Sequence, residues 1–364
     1  MSMGIDSHER SAAVMTPVVS APALRTMRRL PRWASAVVLA GAAILVAAVL
    51  AVTGFSARRF IVGTVALFAF GYYGISRIVE GARKATDRLV TIAVTAAFLV
   101  ALTPLVSVIW TVLSNGLRRF DLEFFTYSMR GIIGAGGGSY HAIFGTLIIT
   151  GLAALMSIPV GVLTAIYLVE YGTGRLARAI TFFVDVMTGI PSIVAGLFAY
   201  AMFALFFGPG VRLGIAGAVA LSVLMIPVVV RATEEMLKIV PNELREAAYA
   251  LGVPKWRTIT KVVLPTAAAG IASGVTLAVA RIIGETAPLL IAVGITTRVN
   301  LNPFDGRMAT LPVFSYYSYV APGVPRDPYL DRAWTAALVL ILLVMILNLA
   351  ARLIARLFAP KGRQ

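Results

Sequence analysis

An all-α, polytopic membrane fold of about eight transmembrane helices is what this chain predicts, and three observations predict it. Of its 364 residues, 59% are hydrophobic and only 13% charged, and the mean hydropathy is +0.89. A soluble protein of this size needs more charge on its surface, so the bilayer is the solvent for most of the chain. The apolar residues come in long uninterrupted runs. Lipid leaves no backbone polar group a partner outside the segment, so such runs cross as helices rather than as barrel strands. The basic residues, finally, gather on alternate connections, the signature of oriented spans. That distribution also explains the formal charge of +16, and no nucleic-acid-binding motif accompanies it. With no cysteine in the chain, neither a disulfide framework nor a cysteine-ligated metal site is available.

Residues 1–24 are polar and aperiodic and read as a disordered cytoplasmic tail. The basic cluster Arg25, Arg28, Arg29 and Arg32 precedes an apolar run from Trp33 to Gly54, too long and too far from the N-terminus for a cleaved signal. Further runs follow at 60–76, which is short and rich in Gly and Tyr, and at 89–113, 143–169, 179–207, 213–230, 266–294 and 333–358. With both termini cytoplasmic, the inside connections and tails hold 21 Lys and Arg against ten outside, which places the 231–265 loop in the cytoplasm. Two external segments, 114–142 and 295–332, are substantial. The first contains Gly134-Ala135-Gly136-Gly137-Gly138; with no strand before it and no Lys-Ser or Lys-Thr after it, this is a flexible loop rather than a phosphate cradle.

The 231–265 loop carries its own pattern. Pro241, Asn242 and Glu243 suit the start of a helix, and Gly252 with Pro254 stops it. Leu244, Ala247, Ala248 and Leu251 recur at helical spacing and give it one apolar stripe. That stripe is covered either by the chain's own helix ends or by a partner protein. A second short helix is expected from Pro254 through Trp256 to Val263.

Ionisable groups at bilayer depth cost about 2.5 kcal/mol or more and usually serve function. Arg281 and Glu285 lie within the 266–294 run at i, i+4, one helix face, where they can pair. Such a pair locks a bundle, or it leaves Arg281 as a forked cation for an oxyanion with Glu285 holding the guanidinium. Phosphate, sulfate and molybdate suit that cation equally. Pro191 behind Gly189 kinks the 179–207 run; Thr188 and Ser192 line a path there or satisfy the broken backbone. Asp185 reads as structural, and Glu170-Tyr171 as an interfacial anchor.

Glu246-Ala247-Ala248, then Gly252, then Val262-Val263-Leu264-Pro265 resembles the EAA loop of binding-protein-dependent ABC-importer permeases. The resemblance implies a coupling helix docked in an ATPase subunit through Glu246, Ala247, Ala248 and Gly252, with Leu244 and Leu251 on its stripe. The run Ala280-Arg281-Ile282-Ile283-Gly284-Glu285-Thr286-Ala287-Pro288-Leu289 is similar to a span of phosphate-specific (Pst) permeases, as are Gly189-Ile190-Pro191-Ser192-Ile193-Val194-Ala195-Gly196 and Gly145-Thr146. Leu311-Pro312, Arg332-Ala333-Trp334 and Leu347 to Arg352 resemble the PstA-type rather than the PstC-type subunit. The family implies a type I ABC-importer permease, its six-helix core beginning near residue 89 and occupying 89–358, with two extra helices in 25–88 and a cytoplasmic tail at 359–364. It implies a non-enzymatic subunit that binds no cofactor, ATP and Mg being held by a dimeric ATPase. A PstC-like partner permease and an extracytoplasmic phosphate-binding protein complete the machine. The substrate path implied is Arg281, Glu285, Thr286, Ser192 and Thr188, hinged at Gly189, Pro191 and Pro288. The alternatives are the same machine carrying sulfate, molybdate or phosphonate, a stand-alone secondary transporter, or a membrane sensor. Against the secondary transporter, no repeat is evident and His8 and His141 lie outside the runs.

Overall fold

The computed structural model describes residues 30–31 and 33–358; the expectations for residues 1–24, for the basic cluster before Trp33 and for 359–364 lie outside the described residues. Long apolar runs do become helices. In chain order these are α1 (Ala34–Thr53), α2 (Ala57–Val79), α3 (Ala82–Gly116), the short α4 (Leu122–Thr126), α5 (Tyr140–Ile166), α6 (Gly174–Thr188), α7 (Ser192–Phe207), α8 (Gly214–Ile239), α9 (Asn242–Ala250), α10 (Lys255–Thr258), α11 (Leu264–Ile282), α12 (Ala287–Ala292), α13 (Leu311–Val320) and α14 (Asp327–Phe358). Among the described residues seven helices are long and apolar enough to cross a membrane, and α6 with α7 form a further pair bent by 107°. Two of the helices carry π turns, Tyr167–Tyr171 after α5 and Ile259–Val263 before α11.

Contacts divide the chain into two compact units, Met1–Val106 and Ser107–Gln364. In the first, α1 and α2 pair as a hairpin. Glu80, between α2 and α3, is buried and gathers the Leu30 backbone N–H at 2.9 Å, the Ser76 hydroxyl at 3.0 Å and the Arg88 guanidinium at 2.8 Å. Burial alone pushes this carboxyl up; the hydrogen bonds from Leu30, Arg88 and Ser76 and the Arg88 charge outweigh it and hold it below the usual carboxylate range. Arg88 also lies over the Tyr72 ring, 5.0 Å from its centroid.

The second unit is built on α8, whose Gly, Ala and Ser residues let its neighbours approach closely. α5 packs along it: the Ser222 hydroxyl, bonded to Ala218 O of its own helix at 2.7 Å, also reaches Ala153 O of α5 at 3.5 Å, and Ser157 donates to Ser222 O at 3.5 Å. α7, α11 and α12 cover the rest of α8, closing a core of Ile149, Leu221, Met225, Ile282, Leu289 and Val293. α13 and α14 form a second core with α4 and the start of α5.

Two expectations are corrected here. The 266–294 run is not one helix: α11 ends at Ile282, and α12 begins at Ala287 after a break through Gly284 and Glu285. Nor is the Gly134–Gly138 segment a flexible loop. Arg332, buried in the second turn of α14, donates from Nη1 to Gly134 O at 2.6 Å and Gly136 O at 2.7 Å. Arg119 holds Gly137 O at 2.8 Å, while Glu123 accepts from Gly137 N at 2.9 Å. A run of glycines lets the chain turn tightly enough to present its carbonyls to two arginines, so here composition that suggests mobility serves a pinned loop.

Candidate functional site

At the end of α8 the chain turns through Val240 and Pro241 into α9. The helix closes as a Schellman motif: Val253 N donates to Ala248 O at 3.1 Å and Gly252 N to Tyr249 O at 2.9 Å. Gly252 occupies the left-handed position, φ +74°, with nothing within 4 Å of where a Cβ would sit. Backbone conformation rather than space therefore demands glycine there. The apolar stripe stays largely uncovered: Ala248 is buried, whereas Leu244, Ala247 and Leu251 are exposed, Leu251 by 83%. Glu243 and Glu246 are exposed as well, so the surface available to a partner holds two carboxylates among small and apolar side chains.

α9 is fixed from beneath by a residue the sequence did not single out. Arg245 donates from Nε and Nη2 to Glu170 Oε1 at 3.1 and 2.9 Å, from Nη1 to Val240 O at 2.7 Å and from Nη2 to Leu237 O at 3.0 Å. Beside it Lys255 lies over the Tyr171 ring, 4.8 Å from the centroid. Glu170 and Tyr171 are therefore attachment points for the α9–α10 loop rather than simple interfacial anchors. Seventy-five residues separate Arg245 from Glu170, and no local spacing reveals such a pair. Asp185 has a structural partner too: it accepts from Arg231, whose Nη1 reaches Glu234 at 2.7 Å, and Lys238 closes that chain to Glu234 at 2.7 Å.

Further along the bundle two helix breaks meet. One is the bend at Gly189–Pro191; the other is the gap between α11 and α12. α7 packs on α12 so closely that a Cβ on Gly196 would lie 2.5 Å from Pro288 Cα. The structure thus brings Pro191, Ser192 and Gly196 to the same region as Glu285, Thr286 and Pro288. Ser192, Glu285 and Thr286 are half-buried. Thr188 is committed elsewhere, its hydroxyl donating to Val184 O of its own helix at 2.9 Å.

The expected Arg281–Glu285 pair does not form. Helical i, i+4 geometry needs an unbroken helix, and α11 ends between the two residues. Arg281 stands in its last turn, exposed and without an ion pair or side-chain hydrogen bond among the described residues, while Ile282 and Ile283 behind it are fully buried. An unpaired guanidinium keeps all five donors for another molecule. Gly145 and Thr146 of α5 act on the second core instead: Thr146 Oγ1 accepts from Leu311 N at 2.8 Å, and a Cβ on Gly145 would lie 2.0 Å from Ala309 O.

The family model for the binding-protein-dependent transport system inner membrane component matches residues 157–364, which include the bent pair, α9 and Arg281. The phosphate transport system permease protein PstA 1 of Mycobacterium tuberculosis is 47% identical over 78% of this chain and 91% of its own length. PstA of Pasteurella multocida is 39% identical over 68% of this chain and 86% of its own length. A chain in the crystal structure of a bacterial alginate ABC transporter, complexed with its alginate-bound periplasmic protein, shares the fold with a TM-score of 0.53 at 15% identity, over 79% of this chain and 100% of that one. This chain belongs to the PstA family of phosphate transport system permease proteins, within the inner membrane components of binding-protein-dependent transport.

Proposed function

We propose that this chain is one of two related permeases enclosing the membrane path of an ATP-driven phosphate importer, and that Arg281 is the cation that meets the phosphate. The observation that carries the reading is Arg281 itself: permanently charged, exposed at the end of a membrane-crossing helix, and with no anionic partner among the described residues. The relatives named for phosphate transport supply the choice among oxyanions. In this reading both termini and the α9–α10 loop are cytoplasmic, and the exposed stripe of α9 docks into a dimeric ATPase that holds ATP and Mg. A PstC-like permease supplies the other wall, and an extracytoplasmic binding protein delivers phosphate at the opposite end.

ATP closes the ATPase dimer and moves α9, and the permease pair opens outward to accept phosphate. Hydrolysis then returns the pair to the inward-facing state, an alternating-access cycle driven through a short rigid helix. Arg281 binds the anion with charge-assisted, forked hydrogen bonds. Glu285 and Thr286, in the adjoining break, bound the anion's position and weaken its hold, so that it leaves.

The test is radiolabelled phosphate uptake in cells lacking and then regaining the chain, with unlabelled sulfate and molybdate as competitors. Restored uptake indifferent to both competitors is expected. Arg281→Gln should lower it by about 10- to 150-fold, the value of a lost charge-assisted hydrogen bond, while the complex still assembles. Full uptake by an assembled Arg281→Gln complex refutes the role of Arg281, and inhibition by sulfate or molybdate refutes the substrate.

A further inference from the structure

We propose that the Arg245–Glu170 ion pair is the strut through which α9 drives α5, making both of them positioning residues for transport. α9 has few ways to pass a displacement on. Its stripe faces outward, and along the chain it connects only to α8 and, through α10 and a π turn, to α11. α5 is reached across space, through the packing of α8 along it, through Lys255 over the Tyr171 ring, and through Arg245, the one of these contacts that is made by α9 itself and is a buried ion pair. Each of its three guanidinium nitrogens is engaged, tying together Glu170, the Leu237 and Val240 carbonyls at the end of α8, and the Asn242 side chain at 3.3 Å.

The Arg245 and Glu170 side chains are 12% and 4% exposed, and Glu170 has no other ion-pair or hydrogen-bond partner among the described residues. A buried carboxylate cannot let go of its one cation without a large penalty, so the contact transmits pull as well as push. The π turn Tyr167–Tyr171 aims Glu170 inward at this point. Such turns are rare and often mark functional sites. At the other end of α5, Gly145 and Thr146 hold the Ala309–Leu311 segment, so motion at α9 is passed toward the far end of the bundle along one continuous helix, with Pro159 as its point of flexure.

The proposal rests on the reading that α9 docks the ATPase, and the test separates the two. The complete complex, with Glu170→Gln, Arg245→Met or Arg245→Lys in this chain, is purified and reconstituted in proteoliposomes. Bound ATPase, ATP hydrolysis and phosphate transported per ATP are each measured. Expected is wild-type ATPase content and hydrolysis, with phosphate per ATP reduced about 5- to 150-fold in Glu170→Gln and Arg245→Met. Arg245→Lys, which keeps the charge but not the fork, should fall between. A pair that only staples the fold lowers assembly and leaves the ratio untouched, so an unchanged ratio, or failure of all three variants to assemble, overturns the proposal. Leu251→Asp on the exposed stripe tests the docking reading instead: full ATPase content and coupling there refutes that reading, whatever the ion-pair variants do.

Discussion

Replacing Gly196 with alanine is the most direct test of whether the two helix breaks act together. The new Cβ would lie 2.5 Å from Pro288 Cα and 2.9 Å from Pro288 O. Cβ atoms essentially never approach closer than 3.0 Å and ordinary contact begins at 3.4 Å, so one backbone must move by at least 0.5 Å, and by 0.9 Å to relax fully. Backbone gives less readily than the tip of a side chain, and α12 has no slack behind it: Leu289 and Val293 are buried in the core beside α8. Overpacking of this kind costs about 1–3 kcal/mol. If the strain falls on the transport-competent arrangement, uptake drops about 5- to 150-fold, and the melting temperature of the purified complex falls as well. Gly151→Ala is the matched control, a helical glycine with nothing within 4 Å of its Cβ position, where alanine should be neutral or mildly stabilising. Initial rates of phosphate uptake, normalised to complex in the membrane, and intrinsic tryptophan melting curves decide the matter. A Gly196→Ala complex indistinguishable from Gly151→Ala in both refutes the close coupling of α7 and α12.

Gly252→Val forces a β-branched residue into the left-handed region at about 1–2 kcal/mol and should cut both ATPase co-purification and uptake, with Gly252→Asn much milder because asparagine tolerates that conformation. Thr146→Val strands the buried Leu311 N–H and should destabilise the complex by about 1–3 kcal/mol, read as a lowered midpoint of thermal or denaturant unfolding. The carboxyl of Glu80 is held below its ordinary range, so its contribution is present at neutral pH and is lost as pH falls through the lowered value. Amide protection at Leu30 and Gly81–Arg88, corrected for intrinsic exchange, should therefore hold above the ordinary carboxyl value of 4.5 and weaken as pH falls below it and on through the lowered value, and Glu80→Gln should show the weakened state already at neutral pH.

What the sequence revealed and what it hid divide along physical lines. Hydropathy reports the solvent of a segment, so the spans were legible, even the short Gly- and Tyr-rich run that became α2. Hydropathy is blind to backbone direction. Pro191 announced a kink but not a bend of 107°, and the apolar residues around Gly284 concealed a helix end. The expected Arg281–Glu285 pair failed for that reason alone, since a correct spacing was laid on a helix that stops. Gly252 was legible because a left-handed turn has a local chemical signature. Arg245 was not, because its partner Glu170 is remote in sequence and a basic residue in that loop already had a sufficient explanation in membrane orientation. The same distance hid Arg332, whose Gly134 and Gly136 carbonyls lie almost two hundred residues away.

The attachment of Arg245 to Glu170 also decides how often the chain traverses the bilayer. α6 and α7 have 15 and 16 residues, about 22 and 24 Å at 1.5 Å per residue. Neither alone reaches across a hydrocarbon layer of about 30 Å, so length leaves open a dip that returns to its own side. Geometry closes that option. α5 and α8 run parallel, with Ala153 beside Ser222 in their middles and Glu170 beside Arg245 just past α8. α5 therefore finishes at the end of the bundle where α8 also finishes, and α8 must start at the other. The intervening stretch from Gly172 to Leu213 has to make the journey back, and the bent pair is the only helix in it. Counting it adds one traverse, shared between two short helices, to the seven helices that are each long enough to cross alone among the described residues.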